Sequence, residues 1–338
     1  MASSGSALPI IDLSDIDNPE MVAALRDATH EVGFFYLTGH GIDPQLTTDI
    51  IAASRKFFAL DEAEKKRIDI VRSAQYRGYT PVGNERTEGK IDWREQMDFG
   101  DERELRPRES WKGPWDVLVG PNQWPTAVPE LRGLVLEYQE RAIEVGFTLM
   151  RAWARSLGQD EGVFDPSFFD RPSTLLKVVR YPGHDQSVTA QGVGSHNDPG
   201  VLTLLHVEQG GDGLQVERDG GWIDVSPIPG HLIVNIGEML EIATNGYLKA
   251  TMHRVLPPAP GTERYSMPFF FNPSRAASFP TLELPPELAA EACGVTENPD
   301  NPLHATYGLN ELKARLRAHP DVTAAHHQDL MGVDLSTL

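Results

Sequence analysis

The run Ser195-His196-Asn197-Asp198 sets an imidazole and a carboxylate two residues apart, and His253 supplies a second imidazole further along the chain. Two neutral nitrogens and one carboxylate oxygen, with no cysteine nearby, suit ferrous iron and leave coordination positions open for chemistry. Beyond them, Arg264 and Ser266 flank Tyr265. An arginine and a serine so placed could hold a carboxylate close to a metal. If these residues converge, the chemistry is oxygen activation at iron.

The His-x-Asp spacing alone decides nothing. With 11 histidines in the chain, and aspartate at roughly one residue in fifteen, about one such pair arises by chance. A second one is present at His327-Gln328-Asp329. It lies in a tail without strand pattern and reads as a solvated helix end.

The first pair has a different context. Pro199-Gly200 follow it, and residues 201–207 then read as a half-buried or buried strand. Short strand-like segments at 214–217, 222–225 and 232–236 come next, separated by glycine- and proline-rich turns. Closely spaced short strands argue for a sandwich or barrel rather than alternating βαβ units. An extended chain at His196 would send Asp198 to the same side. His253 sits in a further extended stretch, 251–256, after a short helix expected at 238–245 and ending near Gly246. Residues 264–271 alternate Arg264, Ser266, Pro268 and Phe270 against Tyr265, Met267, Phe269 and Phe271. A buried arginine and serine on one face need a partner, either a bound carboxylate or one of the chain's own acids. His40, His206 and His231 read as structural.

These residues, in this order, resemble the iron(II)/2-oxoglutarate-dependent oxygenases of the isopenicillin N synthase-like family. The likeness extends to Val234-Asn235-Ile236-Gly237-Glu238 before His253-Arg254-Val255, and to Pro9-Ile10-Ile11-Asp12-Leu13, Gly33-Phe34-Phe35 and Gly39-His40-Gly41-Ile42 near the start. The resemblance implies a double-stranded β-helix (jelly-roll) core, mainly β with a helical frame. It implies His196, Asp198 and His253 as iron ligands, and Arg264, Ser266 and Tyr181 as contacts to the distal carboxylate of 2-oxoglutarate. Phe270 matches a position that lines the substrate pocket. Where the plant pattern has asparagine two residues before the tyrosine, this chain has Val179. The implied reaction consumes O2 and 2-oxoglutarate, yields succinate and CO2, and hydroxylates, desaturates or cyclises a small molecule. Alternatives within the fold are a 2-oxoglutarate-independent oxidase of the isopenicillin N synthase or aminocyclopropanecarboxylate oxidase type, and an ethylene-forming fragmentation of 2-oxoglutarate. A metal-free β-barrel binding protein is the alternative from another class, and the intact triad speaks against it. Phe269, Phe270 and Phe271 are expected as a dry wall of the site.

Composition agrees. The 338 residues are 40% hydrophobic, enough for a substantial core, and carry a net charge of −19, which disfavours nucleic-acid and anionic-membrane partners. The one cysteine, Cys293, excludes an internal disulfide framework. No targeting segment or apolar run of membrane length is visible, so a cytoplasmic monomer acting on a small molecule is the expectation. The organisation expected is an N-terminal helical and strand region over 1–115, a long helix plus jelly-roll core over 116–280, and a helical tail over 281–338 acting as a lid. Helices are expected at 21–32, 45–58, 61–68, 129–157 and 310–318. Residues 79–113 are expected as a substrate-side loop, with Arg94 and Arg180 as candidate partners for a substrate carboxylate.

Overall fold

Short, largely apolar segments separated by turns commit residues 173–272 to a succession of eight strands. The computed structural model describes residues 8–87, 89–185, 189–295 and 302–333. Strands β1 (Ile10–Asp12), β2 (Phe34–Thr38), β3 (Gly78–Thr80), β4 (Arg86–Thr87), β5 (Lys90–Ile91), β6 (Glu95–Gly100) and β7 (Ser173–Pro182) precede the metal-site region. Strands β8 (Val193–His196), β9 (Leu202–Val207), β10 (Leu214–Arg218), β11 (Gly221–Val225), β12 (Leu232–Ile236), β13 (His253–Val255) and β14 (Glu263–Asn272) follow. An eight-stranded sheet runs β1-β2-β12-β9-β14-β7-β6-β3, and a four-stranded sheet runs β11-β10-β13-β8. Val179, Val207, Ile233, Val193, Val216 and Val255, drawn from both sheets, pack together between them. This is the jelly-roll core, with strands from the first hundred residues built into the same sheet as the later ones.

The helices are α1 (Pro19–Glu31), α2 (Pro44–Phe58), α3 (Glu62–Lys65), α4 (Glu130–Ser156), α5 (Glu238–Ala243), α6 (Pro286–Ala289), α7 (Tyr307–Ala318) and α8 (Pro320–His326). Asn18 and Asp43 cap α1 and α2 by accepting from the backbone N–H two residues on, with proline at the first helical position of each. Helix α4, about 40 Å long, buries Leu131, Tyr138, Ala142, Val145, Leu149 and Trp153 along one face. That face covers the outer side of β14: Tyr138 meets Phe269 edge-on at 6.3 Å and Phe147 meets Phe271 at 5.2 Å. A Cβ on Gly146 would come within 2.8 Å of the Phe271 ring, so the helix approaches the sheet at a glycine. Phe269 and Phe271 are thus core, and Phe270 alone of the three faces inward. The expected wall of three phenylalanines is one residue deep.

The segment expected as a loop over 79–113 is a second departure. It contains β6, whose six residues are all buried although three of them are Glu95, Gln96 and Asp98. Strand β6 lies between β7 and β3 in the large sheet. Its two carboxylates are held by distant partners: Arg315 Nη1 of α7 donates to Asp98 Oδ2 at 2.7 Å, and Lys65 Nζ to Glu95 Oε2 at 2.9 Å.

Candidate metal centre and carboxylate pocket

His196 ends β8 and His253 begins β13, and the two are direct partners in the antiparallel pairing of those strands. Such partners project from the same face with their side chains adjacent, and the ring centroids lie 4.3 Å apart. Asp198 lies beyond the end of β8 rather than within it. Strand alternation therefore does not aim this carboxylate. Instead, its backbone carbonyl accepts from Glu238 N at 2.9 Å, and its Oδ2 accepts from Thr203 Oγ1 at 2.5 Å and Asn235 Nδ2 at 2.8 Å. Oδ1 is left facing the imidazoles, 3.7 Å from His196 Nε2 and 3.9 Å from His253 Nε2.

The far nitrogen of each imidazole is tied to a carbonyl: His196 Nδ1 to Gly194 O at 2.8 Å, His253 Nδ1 to Thr251 O at 3.0 Å. A carbonyl can only accept, so Nδ1 carries the proton and Nε2 offers its lone pair. Burial pushes the His196 imidazole down to about 4, reinforced by the adjacent His253 and opposed by Asp198. The ring is neutral at neutral pH, as a ligand must be. Burial would raise the Asp198 carboxyl, but His253, His196 and its two hydrogen bonds together hold it below the usual carboxylate value. Among the described residues, these three form the one group of histidine, cysteine and acidic side chains able to hold a metal, with ligand atoms within 4.8 Å of one another. Two nitrogens and a carboxylate oxygen fit ferrous iron. The His196 side chain is 31% exposed while those of Asp198 and His253 are 7% and 10% exposed, so the centre opens on the His196 side.

Arg264 and Tyr181 are direct partners on β14 and β7. The guanidinium lies 4.8 Å from the Tyr181 ring centroid, donates from Nη1 to Ser266 Oγ at 3.0 Å and from Nε to Gly211 O at 2.9 Å. It is 2% exposed, and no carboxylate among the described residues pairs with it at ion-pair distance. Burial lowers its affinity for a proton, partly offset by the Tyr181 hydroxyl. A guanidinium buried without a counter-ion is costly, and an arriving carboxylate would remove that cost. Phe270 pairs with Thr203 across β14 and β9, which places its ring on the metal-facing side. Val179 pairs with Ser266 and is fully buried in the apolar layer between the sheets, so this position makes no polar contact.

Two other expected residues part company. Arg94 is buried on the inner side, paired with Glu85 at 3.0 Å and Asp92 at 3.3 Å. Arg180 points to the outer side, held by Glu95 at 2.6 Å and Glu263 at 2.7 Å, and takes no part in the pocket. His327 is 5% exposed rather than solvated. Thr203 and Asn235, which orient Asp198, belong to no spacing that marks a ligand, and their role emerges from the structure. A lone amide within the apolar strand Leu232–Ile236 is the signal that marks Asn235.

The chain matches two family profiles: residues 8–127 match the N-terminal region described as "non-haem dioxygenase in morphine synthesis", and residues 173–273 match the 2OG-Fe(II) oxygenase superfamily. A 2-oxoglutarate-dependent dioxygenase, frbJ, of Dothideomycetidae sp. (strain 11243) is 34% identical, covering 94% of this chain and 91% of its own. A homoarginine-6-hydroxylase of Arabidopsis thaliana is 33% identical over 82% of this chain and 81% of its own. Among solved structures, a full-length Neurospora crassa protein in complex with α-ketoglutarate and thymine superposes with a TM-score of 0.72 at 25% identity, covering 93% of this chain and 98% of that one. JOX2 with 2-oxoglutarate, iron and JA gives 0.71 at 27% identity, covering 95% and 89%. No described helix is long and apolar enough to cross a membrane.

Proposed function

The chain belongs to the 2OG-Fe(II) oxygenase superfamily, and from that premise we propose that His196, Asp198 and His253 hold the iron and that Arg264, Ser266 and Tyr181 hold the co-substrate. The protein is an iron(II)- and 2-oxoglutarate-dependent dioxygenase that oxidises a small molecule with O2. The observation that carries the residue assignment is that both Nε2 atoms and Asp198 Oδ1 face one another while Nδ1, Nδ1 and Oδ2 behind them are tied.

When bound, iron and 2-oxoglutarate supply the oxidative step, giving succinate, CO2 and the oxidised substrate. The chain's own part is positioning. Thr203 and Asn235 fix the Asp198 carboxylate, and the Gly194 and Thr251 carbonyls fix both imidazoles. Arg264, backed by Ser266, receives the far carboxylate of the keto acid, where a guanidinium fork serves better than an ammonium. Phe270 keeps the substrate side apolar beside Thr203. Helix α7 forms a cover: its Arg315 donates to Asp98 Oδ2 at 2.7 Å, and His319, which follows it, lies 3.9 Å from Glu85. The small molecules named with the relatives span three charge classes: homoarginine, in a hydroxylase's name, carries net positive charge, bound thymine none, and bound jasmonate is an anion. The test of the residue assignment is anaerobic addition of iron(II) and 2-oxoglutarate. The expected result is the weak visible charge-transfer band of the chelate, and bound iron without that band removes Arg264, Ser266 and Tyr181 from the co-substrate site.

A further inference from the structure

Beside the carboxylate pocket, the inner face of the large sheet changes character. Ser266, Val179, Gln96 and Thr80 stand side by side across β14, β7, β6 and β3. At about 4.8 Å per strand, Gln96 lies roughly 10 Å from Ser266. Val179 separates an anion-receiving pocket from a second, wholly polar patch. That patch is closed from above by the corner between α7 and α8, where Arg315 and His319 point down.

Its polar atoms are incompletely used. Arg315 Nη2, Arg94 Nε, Gln96 Oε1, Thr80 Oγ1 and both ring nitrogens of His319 are buried and have no hydrogen-bond partner among the described residues. Each of these residues is at least nine-tenths buried. Buried orphans are rare in folded proteins and mark a missing partner, and here they gather in one place. They also include both kinds. Arg315 and Arg94 can only donate, Gln96 Oε1 can only accept, and Thr80 and neutral His319 do either.

The charges of the patch cancel. Glu85, Asp92 and Asp98 face Lys177, Arg94 and Arg315, linked by Lys177–Glu85 at 2.8 Å, Arg94–Glu85 at 3.0 Å, Arg94–Asp92 at 3.3 Å and Arg315–Asp98 at 2.7 Å. Burial outweighs Glu85 and pushes His319 down to about 4, so it adds no charge at neutral pH. The network reaches the metal centre, because Asp92 Oδ1 accepts from Gly194 N at 3.2 Å, two residues before His196. A ligand of either net charge would leave one charge uncompensated in a buried site, which is strongly disfavoured.

We propose that this patch is the binding site of the oxidisable substrate, and that the substrate is a compact, net-uncharged molecule of the cyclic amide or imide kind. An amide carbonyl beside its own N–H is a small uncharged unit that accepts from Arg315 or Arg94 while donating to Gln96. The inference rests on the iron and co-substrate assignment made above, and extends it to the third reactant.

Calorimetry on the full chain loaded with iron(II) and 2-oxoglutarate under nitrogen tests it, using thymine and hydantoin as uncharged imides, L-homoarginine as cation and jasmonate as anion. At least one imide should bind at least about tenfold more tightly than either charged probe. Gln96→Leu should weaken imide binding about tenfold by leaving a donor unpaired. Arg315→Gln, which makes the patch net negative, should move the preference toward L-homoarginine. Thr80→Val is a milder change that keeps the test usable if Arg315→Gln does not fold, and should also weaken the imide. Three results would overturn the proposal: a charged probe preferred by the native protein, no imide binding at all, or imide binding indifferent to both Gln96→Leu and Thr80→Val. The charge-transfer band of the 2-oxoglutarate complex should be unchanged in every variant. Its absence from the native protein marks failure of the co-substrate assignment instead.

Discussion

The chain carries the same three-residue spacing twice, at His196-Asn197-Asp198 and at His327-Gln328-Asp329, and folds the two copies to opposite ends. In the first, Nδ1 of the imidazole is tied to a carbonyl and Nε2 is free to face a second imidazole and a carboxylate. In the second, Nε2 is the tied atom, 2.7 Å from Ala74 O, and the ring stacks on Tyr76 with centroids 5.4 Å apart. Asp198 turns its free oxygen toward both histidines, while Asp329 turns to the surface and Arg108 at 3.4 Å. A metal centre requires that the back of each ligand be occupied and its front be free. Spacing in sequence supplies neither: strand register sets His196 opposite His253, and the Gly194 and Thr251 carbonyls with Thr203 and Asn235 occupy the backs of the ligands.

The strongest way to break this comparison is to mutate each copy in turn. His196→Ala or Asp198→Ala should abolish 2-oxoglutarate-dependent oxygen consumption and succinate formation, while His327→Ala should retain both. Activity surviving in the first pair and lost in the second would mean that the wrong copy was chosen. A smaller effect is expected behind the ligands. Asn235→Ala leaves Asp198 with one of its two supporting donors, and losing a hydrogen bond that orients a ligand weakens metal binding or activity roughly 10–100-fold. Iron titration of the variant measures it, and native affinity would show that Thr203 alone suffices.

Much of the region around the first pair is legible in the sequence because its strands are apolar and its turns rich in glycine and proline. Strand β12 spans the expected residues, and β9 differs by one. The residues proposed as triad and carboxylate clamp can likewise be picked out as residue types in order. Strand β6 is not, because Glu95, Gln96 and Asp98 break the apolar pattern and their burial depends on partners far along the chain. Arg315 is 217 residues from Asp98. For the same reason the tail around His327 reads as solvated: Ala74, whose carbonyl holds the ring, lies 253 residues away, with Tyr76 beside it. Polar side chains reveal their environment only through contacts that local pattern does not carry.

The proposed carboxylate clamp accompanies the first pair alone, and Arg264→Lys tests how far that matters. Lysine keeps the charge but loses the fork and the contacts to Ser266 and Gly211. Loss of about one charge-assisted hydrogen bond should raise the 2-oxoglutarate requirement on the order of tenfold, with iron binding unaffected. An unchanged requirement would take Arg264 out of the site.

The smallest effect belongs to the second pair, and it is one of stability rather than chemistry. Burial lowers the His327 imidazole below its ordinary value, with the Ala74 carbonyl opposing the shift. A folded-state value below that of the unfolded chain means that the unfolded chain takes up the proton more readily. The stability gained from the neutral ring is therefore full above about pH 6.5 and is lost as pH falls through that value toward the folded one. Other buried histidines contribute with the same sign, so the informative quantity is a difference. His327→Gln keeps an N–H for Ala74 but cannot titrate, and its Tm should fall less than the native Tm between pH 7 and pH 5, by on the order of 1 °C. Parallel Tm profiles in the two proteins would show that His327 does not sense pH, and a loss of oxygen consumption in the variant at pH 7 would erase the contrast between the two pairs.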